Sequence, residues 1–170
     1  MGAGVGFPGL ALAIALPSAR IDLIESARRK GAVINRLIQA ARLSNARAVV
    51  ARVEEWGTAP AALGGGRGVY DAVTARALGE LSLVAEYAAP LLRDEGVVVA
   101  WKGVRDSEEE ARAKTAANRL GLRQDDIRPV VPFEGARNRH LYVLRKVAPT
   151  PAGFPRRPGM ARKRPLGRAS

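Results

Sequence analysis

The stretch that decides the fold is the beginning of the chain, residues 1–10, with the sequence MGAGVGFPGL. Gly4, Gly6 and Gly9 follow the spacing G-x-G-x-x-G, which is typical of a turn between a β-strand and a helix. Glycine permits positive φ angles and a close approach of the backbone to a ligand, and the following helix presents free N–H groups. We therefore expect a ligand-binding turn at the carboxyl edge of an open α/β sheet.

Strand and helix patterns alternate along the chain after this turn. The predicted helices are residues 9–16, 28–43, 79–93 and 107–120, and the predicted strands are residues 19–26, 46–52, 68–77, 96–103, 127–133 and 139–147. This alternation predicts a mostly parallel, doubly wound sheet with helices on both faces. The last two strands have no helix between them, so they are predicted to pair antiparallel.

The positive charge of the protein is concentrated at one end. The net charge is +12, yet residues 1–134 hold 18 Lys/Arg with all 16 Asp/Glu, whereas residues 135–170 hold 10 Lys/Arg and no acid. Such an end attracts the phosphates of nucleic acid, although solubility or contact with acidic lipid is an alternative. Prolines accompany the basic residues from Ala148 onward. We therefore predict a folded domain over 1–147 and a basic tail over 148–170 that is disordered without RNA.

The composition excludes several kinds of site. The chain has no cysteine and a single histidine, His140, so disulfides, cysteine nucleophiles and Cys/His metal clusters are excluded. The apolar segment 7–19 has no Lys or Arg before it and is shorter than the ~20 residues of a membrane span. The sequence therefore predicts a cytoplasmic protein with neither a metal nor a membrane partner.

An acidic residue is suitably placed for a nucleoside cofactor. Glu25 ends the strand that follows the turn, 21 residues after Gly4, where a carboxylate can accept hydrogen bonds from ribose hydroxyls. A dinucleotide and S-adenosylmethionine both fit this pattern, and glycines that serve only tight packing are a further alternative. The final antiparallel pair and the basic end favour an S-adenosylmethionine-dependent enzyme acting on RNA over an NAD-dependent oxidoreductase.

Seven motifs occur in a characteristic order: GAGVGFPGLALAIALP, LIESARRK, ARVEEW, YDAVTARAL, VVAWKG, RHLYVLRK and TPAGFPRRPG. Together they resemble the bacterial 16S rRNA (guanine-N7)-methyltransferase G family, also called glucose-inhibited division protein B. The resemblance covers nearly the whole chain. It implies a Rossmann-like class I methyltransferase fold, S-adenosylmethionine as cofactor, and a monomeric enzyme whose partner is 16S rRNA or the small ribosomal subunit.

The resemblance also implies roles for matching positions. The implied cofactor-binding residues, taken with the two residues of the glycine and strand-end pattern, are Gly2, Gly4, Phe7, Glu25, Val53, Glu54 and Arg76. The implied RNA-binding residues of the domain are Arg52, Lys102, Arg139 and His140. Structural alternatives stay open for three of them. Glu54 could be surface charge, Arg76 could pair with Asp71, and His140 could be a strand residue without chemistry.

Guanine-N7 methylation fits a chain without a catalytic base. The N7 lone pair is available at neutral pH and no proton leaves it, so alignment and exclusion of water suffice and no catalytic residue is predicted. Cytosine C5 methylation would need a cysteine, and amino-group methylation usually uses a Pro-Pro loop that this chain lacks. Arg76 or Arg139 is expected to meet the O6 edge of the base. The tail residues expected to hold phosphates are Arg156, Arg157, Arg162, Lys163 and Arg164.

The chain departs from the family pattern at its beginning. The family's first strand ends in an acidic residue two positions before the glycine that matches Gly2, and this sequence has nothing there. The strands over IDLIES and YDAVTA are therefore expected to expose unpaired edges toward each other. Two explanations are open: the true start lies upstream, or the chain is a degenerate fragment. A catalytically inactive RNA-binding remnant of the same family is the alternative function.

Overall fold

The computed structural model describes residues 1–167. Within that part the strands are β1 (Ile21–Glu25), β2 (Ala46–Val50), β3 (Tyr70–Arg76), β4 (Leu92–Lys102), β5 (Leu122–Val130) and β6 (Arg139–Lys146). The helices are α1 (Gly9–Ala15), α2 (Arg28–Ala40), α3 (Val53–Thr58), α4 (Leu81–Ala88), α5 (Ser107–Arg119) and α6 (Met160–Lys163). All helices in this range are too short or too polar to cross a bilayer.

The strands form two sheets, with the orders β1–β2 and β3–β4–β6–β5. Strand β1 runs parallel to β2, and β3 runs parallel to β4, each pair being connected through a helix. Strand β6 is antiparallel to both β4 and β5. The predicted combination of parallel strands with a final antiparallel pair is confirmed.

A seam separates the two sheets along β1 and β3. These strands share no ladder in residues 1–167, as the sequence predicts. Two backbone hydrogen bonds connect the sheets there. The Ala3 N–H donates to the Ile24 carbonyl at 3.0 Å, and the Met1 amino group donates to the Thr74 carbonyl at 2.7 Å. The first three residues therefore link the halves of the molecule.

Side chains close the amino-terminal end of the same seam. The Tyr70 hydroxyl donates to Asp22 Oδ2 at 2.7 Å, and Trp56 Nε1 donates to that hydroxyl at 2.8 Å. Arg47 holds both carboxylate oxygens of Asp22, at 2.6 and 2.9 Å. Burial, together with the Asp22 carboxylate, raises the pKa of Tyr70 well above its ordinary value. This network ties β1 to β3 across the seam.

Apolar packing continues through both sheets. The main core joins Ile24 and Val49 of one sheet to Val73 and Val98 of the other, with all of α4 buried over it. A smaller cluster lies under α1 and α2, formed by Leu10, Leu23, Ile34 and Ile38. Because the core crosses the seam, the two sheets form one folded unit.

Several elements differ from the sequence predictions, and β4, for example, begins at Leu92, four residues before its predicted start. Helix α4 ends at Ala88, five residues before the predicted end, because Pro90 has no backbone N–H with which to continue the helical hydrogen bonds. Strand β5 begins at Leu122 and not at residue 127, through a polar run that its place at the sheet edge allows. Helix α3 occupies 53–58, where no helix was predicted, and its six residues are too few for a periodic pattern.

The expectation of a disordered tail disagrees with the structure over residues 148–167, which pack on the domain. Ala161 and Leu166 are buried, and Arg67 donates to the Phe154 carbonyl at 2.8 Å. The sequence did not indicate this packing, because the apolar residues that anchor the tail are few and widely spaced among basic residues. The last three residues of the predicted tail, 168–170, lie outside the described part of the chain.

Candidate cofactor and RNA site

The glycine turn uses the backbone freedom that its sequence implies. Gly2, Gly4 and Gly6 have φ angles of 62°, 59° and 104°, in the left-handed region that favours glycine. A Cβ atom added to Gly4 would meet nothing closer than the Gly2 carbonyl oxygen, 4.0 Å away. A Cβ added to Gly2 would instead lie 2.7 Å from a methyl of Leu78. Gly4 therefore faces open space in which a ligand can approach the backbone.

Glu25 holds this turn against the end of β1. Its buried carboxylate accepts from the Gly4 N–H at 2.8 Å through Oε2 and from the Ala27 N–H at 2.9 Å through Oε1. A carboxylate has about four acceptor sites, so each oxygen keeps capacity for a second donor. Glu25 thus fixes the turn directly, and the role of ribose acceptor stays a prediction.

Val53 and Glu54 begin helix α3, directly after the exposed Arg52. The Glu54 carboxylate is buried and accepts from the Gly159 N–H at 3.0 Å, so the alternative of plain surface charge is wrong for this residue. Burial raises the pKa of the neighbouring Tyr87, and the Glu54 carboxylate adds to that effect. The Glu54 side chain therefore anchors the tail, which leaves its backbone for the implied contact with a cofactor.

Arg76 ends β3 and is exposed beside the glycine turn. Its guanidinium carbon lies 6.0 Å from the centroid of the Phe7 ring, a distance at the limit of a cation–π contact. The alternative pairing with Asp71 is wrong, because the Asp71 carboxylate contacts Arg93. Arg76 is thus turned toward the strand ends, where Phe7 connects it to the turn.

A cavity of about 450 Å³ opens at the carboxyl ends of β3 and β4, and we call it the strand-end cavity. Of the residues singled out from the sequence, it brings together Arg76, Lys102, Arg139 and His140. Its other walls are mainly apolar, formed by Ala75, Ala77, Leu78, Gly79, Val84, Ala100, Trp101, Gly103, Val130, Pro132 and Phe133. Apolar walls with a few converging polar groups are the usual composition of a ligand site.

Two of the polar groups in this cavity are held by defined partners. Lys102 Nζ donates to Glu109 Oε1 at 2.7 Å and to the Gly79 carbonyl at 3.1 Å. His140 Nδ1 lies 2.9 Å from the Gly103 carbonyl, so this nitrogen carries the proton and His140 donates. Gly79 and Gly103 are themselves part of the cavity wall, and these contacts, together with the one to Glu109, orient the Lys102 and His140 side chains.

Among residues 148–167, the basic side chains of the tail divide into two groups, and none of these lines the strand-end cavity. Arg156 forms a bidentate pair with Glu86 of α4, with distances of 2.7 and 2.5 Å, and donates to the Arg164 carbonyl at 2.8 Å. Glu86 is 1% exposed, so the expectation that Arg156 holds phosphate is corrected: its guanidinium neutralises a buried carboxylate. The remaining predicted cations are exposed, namely Arg157, Arg162, Lys163 and Arg164.

Sequence reasoning missed two groups of the site. Glu109 was part of an acidic helix start and gave no signal of pairing with Lys102. Phe133 was assigned to a strand, although it lies in the loop between β5 and β6 and reaches the cavity. Its place at the end of the VPF run, six residues before the RHLYVLRK motif, was the available signal.

The fold is that of a class I S-adenosylmethionine-dependent methyltransferase. The structure is similar to the crystal structure of M. jannaschii TYW2 in complex with AdoMet, with a TM-score of 0.63 and 18% identity over 84% of this chain and 64% of that chain. It is also similar to a predicted O-methyltransferase from Agrobacterium tumefaciens, with a TM-score of 0.66 and 21% identity over 87% and 72% of the two chains.

Sequence comparison gives the family. The family model for rRNA small subunit methyltransferase G matches residues 1–142. Relatives named ribosomal RNA small subunit methyltransferase G are 43% identical in Roseiflexus sp. (strain RS-1) and 42% identical in Pelotomaculum thermopropionicum, each over 98% of this chain. The chain spans 69% and 68% of their lengths. It belongs to the rRNA small subunit methyltransferase G family, as the ordered motifs predicted.

Proposed function

We propose that this chain methylates the N7 atom of a guanine in 16S rRNA, with S-adenosylmethionine as the methyl donor. The observation that carries the proposal is the junction at Arg76. This residue lines the strand-end cavity and also approaches Phe7 of the glycine turn. A cofactor on the turn and a base in the cavity would therefore meet at the end of β3.

The residues of the turn fit a nucleoside cofactor. The open space at Gly4 leaves room for a ligand against the backbone, and the buried Glu25 carboxylate keeps unused acceptor capacity beside it. The residues that would hold the cofactor are Gly2, Gly4, Phe7, Glu25, Arg76 and the backbone of Val53 and Glu54. When bound, S-adenosylmethionine supplies an electrophilic methyl group on a sulfonium centre.

The remaining chemistry is alignment by the chain's own residues. Guanine N7 presents a lone pair at neutral pH, so neither a general base nor a covalent nucleophile is needed. The forked donors of Arg76 or Arg139 can meet the O6 edge of the base, and the apolar walls of the cavity exclude water around it. Holding two reactants in line is worth roughly 7–11 kcal/mol at best.

Positive side chains beyond the cavity would hold the RNA backbone. Arg52 lies at the carboxyl end of β2, and Lys102, Arg139 and His140 lie at the cavity itself. The exposed tail cations, from Arg157 to Arg164, extend this charge. Phosphate contacts set the register of the RNA and contribute most of the salt dependence of its binding. We also propose that the enzyme works in the cytoplasm as a monomer. Light scattering tests the monomeric state directly.

Methyl transfer to small ribosomal subunits and to free 16S rRNA, both lacking the modification, tests the proposal. We expect label from the methyl group of S-adenosylmethionine to appear as N7-methylguanine at one position. Replacement Arg76→Ala should lower the rate at least tenfold while the protein stays folded. Label at another atom, or binding of RNA with no binding of S-adenosylmethionine by titration calorimetry, would overturn the proposal. The second result would favour an inactive RNA-binding protein.

A further inference from the structure

The rim of the strand-end cavity carries an aromatic ring in an unusual setting. Phe133 lies in the loop 131–138, lines the cavity and is 64% exposed. Tyr142 and Trp101 differ from Phe133 because their polar atoms already have partners within the fold. The hydroxyl of the buried Tyr142 donates to Glu110, and Trp101 Nε1 donates to the Thr74 hydroxyl. A large apolar ring that is exposed to solvent at the mouth of a ligand cavity is typical of a surface that contacts a ligand.

The neighbourhood of this ring is both apolar and positively charged. Val131 and Val104, on the loops that flank the cavity, are 75% and 70% exposed. Arg139 and Lys102 line the same cavity as Phe133. The combination of exposed apolar side chains with cations fits a ligand that has a flat apolar face and negative charge close to it.

An unpaired RNA base attached to its phosphate has both properties. Proteins recognise single-stranded RNA by stacking splayed bases on aromatic rings while cations contact the backbone. An acidic peptide would satisfy the cations, but it would leave the ring without a flat partner. A cavity of about 450 Å³ is also large enough to admit one purine.

We propose that Phe133 is the stacking surface for the unpaired purine that enters the strand-end cavity. This inference rests on the proposed function and extends it, because it assigns a contact to the face of the base, whereas Arg76 and Arg139 address its edge. The stacked ring then holds the purine plane fixed at the mouth of the cavity.

Three replacements at one position separate stacking from general apolarity. Phe133→Ala removes the ring, Phe133→Leu keeps apolar volume without a flat face, and Phe133→Trp restores a ring. Leu63→Ala is the control, since this apolar residue is also highly exposed but lies on a different loop and does not line the cavity. The probe is a single-stranded RNA oligonucleotide with 2-aminopurine at one site, mixed with the full chain, and the signals are its fluorescence and its dissociation constant.

We expect the alanine and leucine variants to bind about tenfold to a hundredfold more weakly, the range found for lost base stacking. The tryptophan variant should restore affinity and the quenching of 2-aminopurine, and the control should match the parent. The salt dependence of binding should be unchanged in all variants, because none alters a charge. Equal affinity for the leucine variant and the parent, or no rescue by tryptophan, would overturn the inference.

Titration calorimetry with S-adenosylmethionine on the same samples keeps the two proposals apart. Absence of cofactor binding by the parent chain would count against the proposed function, whereas the pattern across the Phe133 variants is measured without cofactor. Thermal unfolding of each variant should follow the parent within 1–2 °C, about what ±0.5 kcal/mol at an exposed site produces. A loss of RNA affinity therefore reports on the contact and not on folding.

Discussion

Lys102 and Glu109 form an ion pair of 2.7 Å at the wall of the strand-end cavity, with side chains 21% and 15% exposed. The same Glu109 oxygen accepts from the Leu81 N–H at 2.7 Å. One carboxylate therefore joins the start of α5 to the end of β4 and the start of α4. It fixes the position of the Lys102 ammonium and partly neutralises its charge.

Replacement Glu109→Gln tests whether this carboxylate acts through Lys102. The amide oxygen can still accept from Leu81, but the charge that holds Lys102 is lost. We expect kcat/KM for RNA to fall about tenfold, since a hydrogen bond between charged groups contributes about 1.5–3 kcal/mol. In a Lys102→Met background the same change should have no further effect. Glu108→Gln, at an 86% exposed neighbour, is the control, and additive effects would contradict the coupling.

Gly4 provides a test of the cofactor site with a matched backbone control. A Gly4→Ala change places a methyl group where we expect the ligand, at a φ of 59°. Gly64→Ala introduces the same methyl at a φ of 77°, also into open space but away from the site. Both changes should destabilise the fold by about 1–2 kcal/mol through backbone strain. Only Gly4→Ala should abolish binding of S-adenosylmethionine in titration calorimetry; an equal loss in both would contradict the assignment.

The pair between Arg156 and Glu86 is expected to stabilise the fold. Replacement Arg156→Ala leaves a carboxylate that is 1% exposed without its cation, which should cost about 3–5 kcal/mol in chemical denaturation. Arg93→Ala breaks the pair with Asp71, whose side chains are 62% and 74% exposed, and should cost at most about 1 kcal/mol. Similar costs for the two variants would show that the tail does not dock as described.

The exposed cations of the tail are expected to contact phosphate. Neutralising Arg157, Arg162, Lys163 and Arg164 to glutamine should lower the slope of log K against log salt by about 3, because each phosphate contact on single-stranded RNA contributes about 0.7. Fluorescence anisotropy over a salt series measures this slope. An unchanged slope would remove the tail from the RNA interface. Deleting residues 148–170 is a poorer test, since it also removes buried anchors such as Ala161 and Leu166.

The Glu110 carboxylate makes the stability of the fold depend on pH in the acidic range. Its hydrogen bonds from Arg105 lower the pKa of Glu110 from an ordinary 4.5 to about 2, and the Tyr142 hydroxyl assists. The folded state therefore binds this proton less readily than the unfolded chain. The stabilisation is fully present above pH 4.5 and is lost as the pH falls toward 2. Thermal midpoints of the parent and of Glu110→Gln should differ at pH 6 and converge near pH 2; a constant difference would exclude this linkage.

The periodic and motif signals predicted most of the fold. Glycines at left-handed turns and runs of β-forming residues act locally, so they predicted the alternation of elements and the final antiparallel pair. The roles of Arg76, Lys102, Arg139 and His140 were implied by the ordered motifs, and the structure brings these four residues to one cavity. The docking of the tail on the domain could not be predicted, because the sequence does not distinguish Arg156 from an arginine that is exposed on the surface. Only the buried Glu86, which is 70 residues away, distinguishes them.

The same limit applies to Glu54 and Phe133. A glutamate in a polar run is usually exposed, and its burial under Gly159 depends on a segment 105 residues away. Phe133 ended an apolar run that predicted a strand, yet β5 stops at Val130 and the ring stands free on a loop. Local patterns give elements and motifs, whereas the contacts that decide the role of one side chain arise between distant segments.

The backbone hydrogen bonds that link residues 1–3 to β1 and β3 begin at Ala3 and Met1, close to Gly4, whose backbone faces the ligand space. A ligand bound to that turn would immobilise both the turn and the hydrogen bonds that link residues 1–3 to β1 and β3. Binding of the cofactor and association of the two sheets are then thermodynamically linked, so the bound cofactor would also stabilise the contact between the sheets. Slower amide exchange along β1 and β3 on loading would be the visible sign of this coupling.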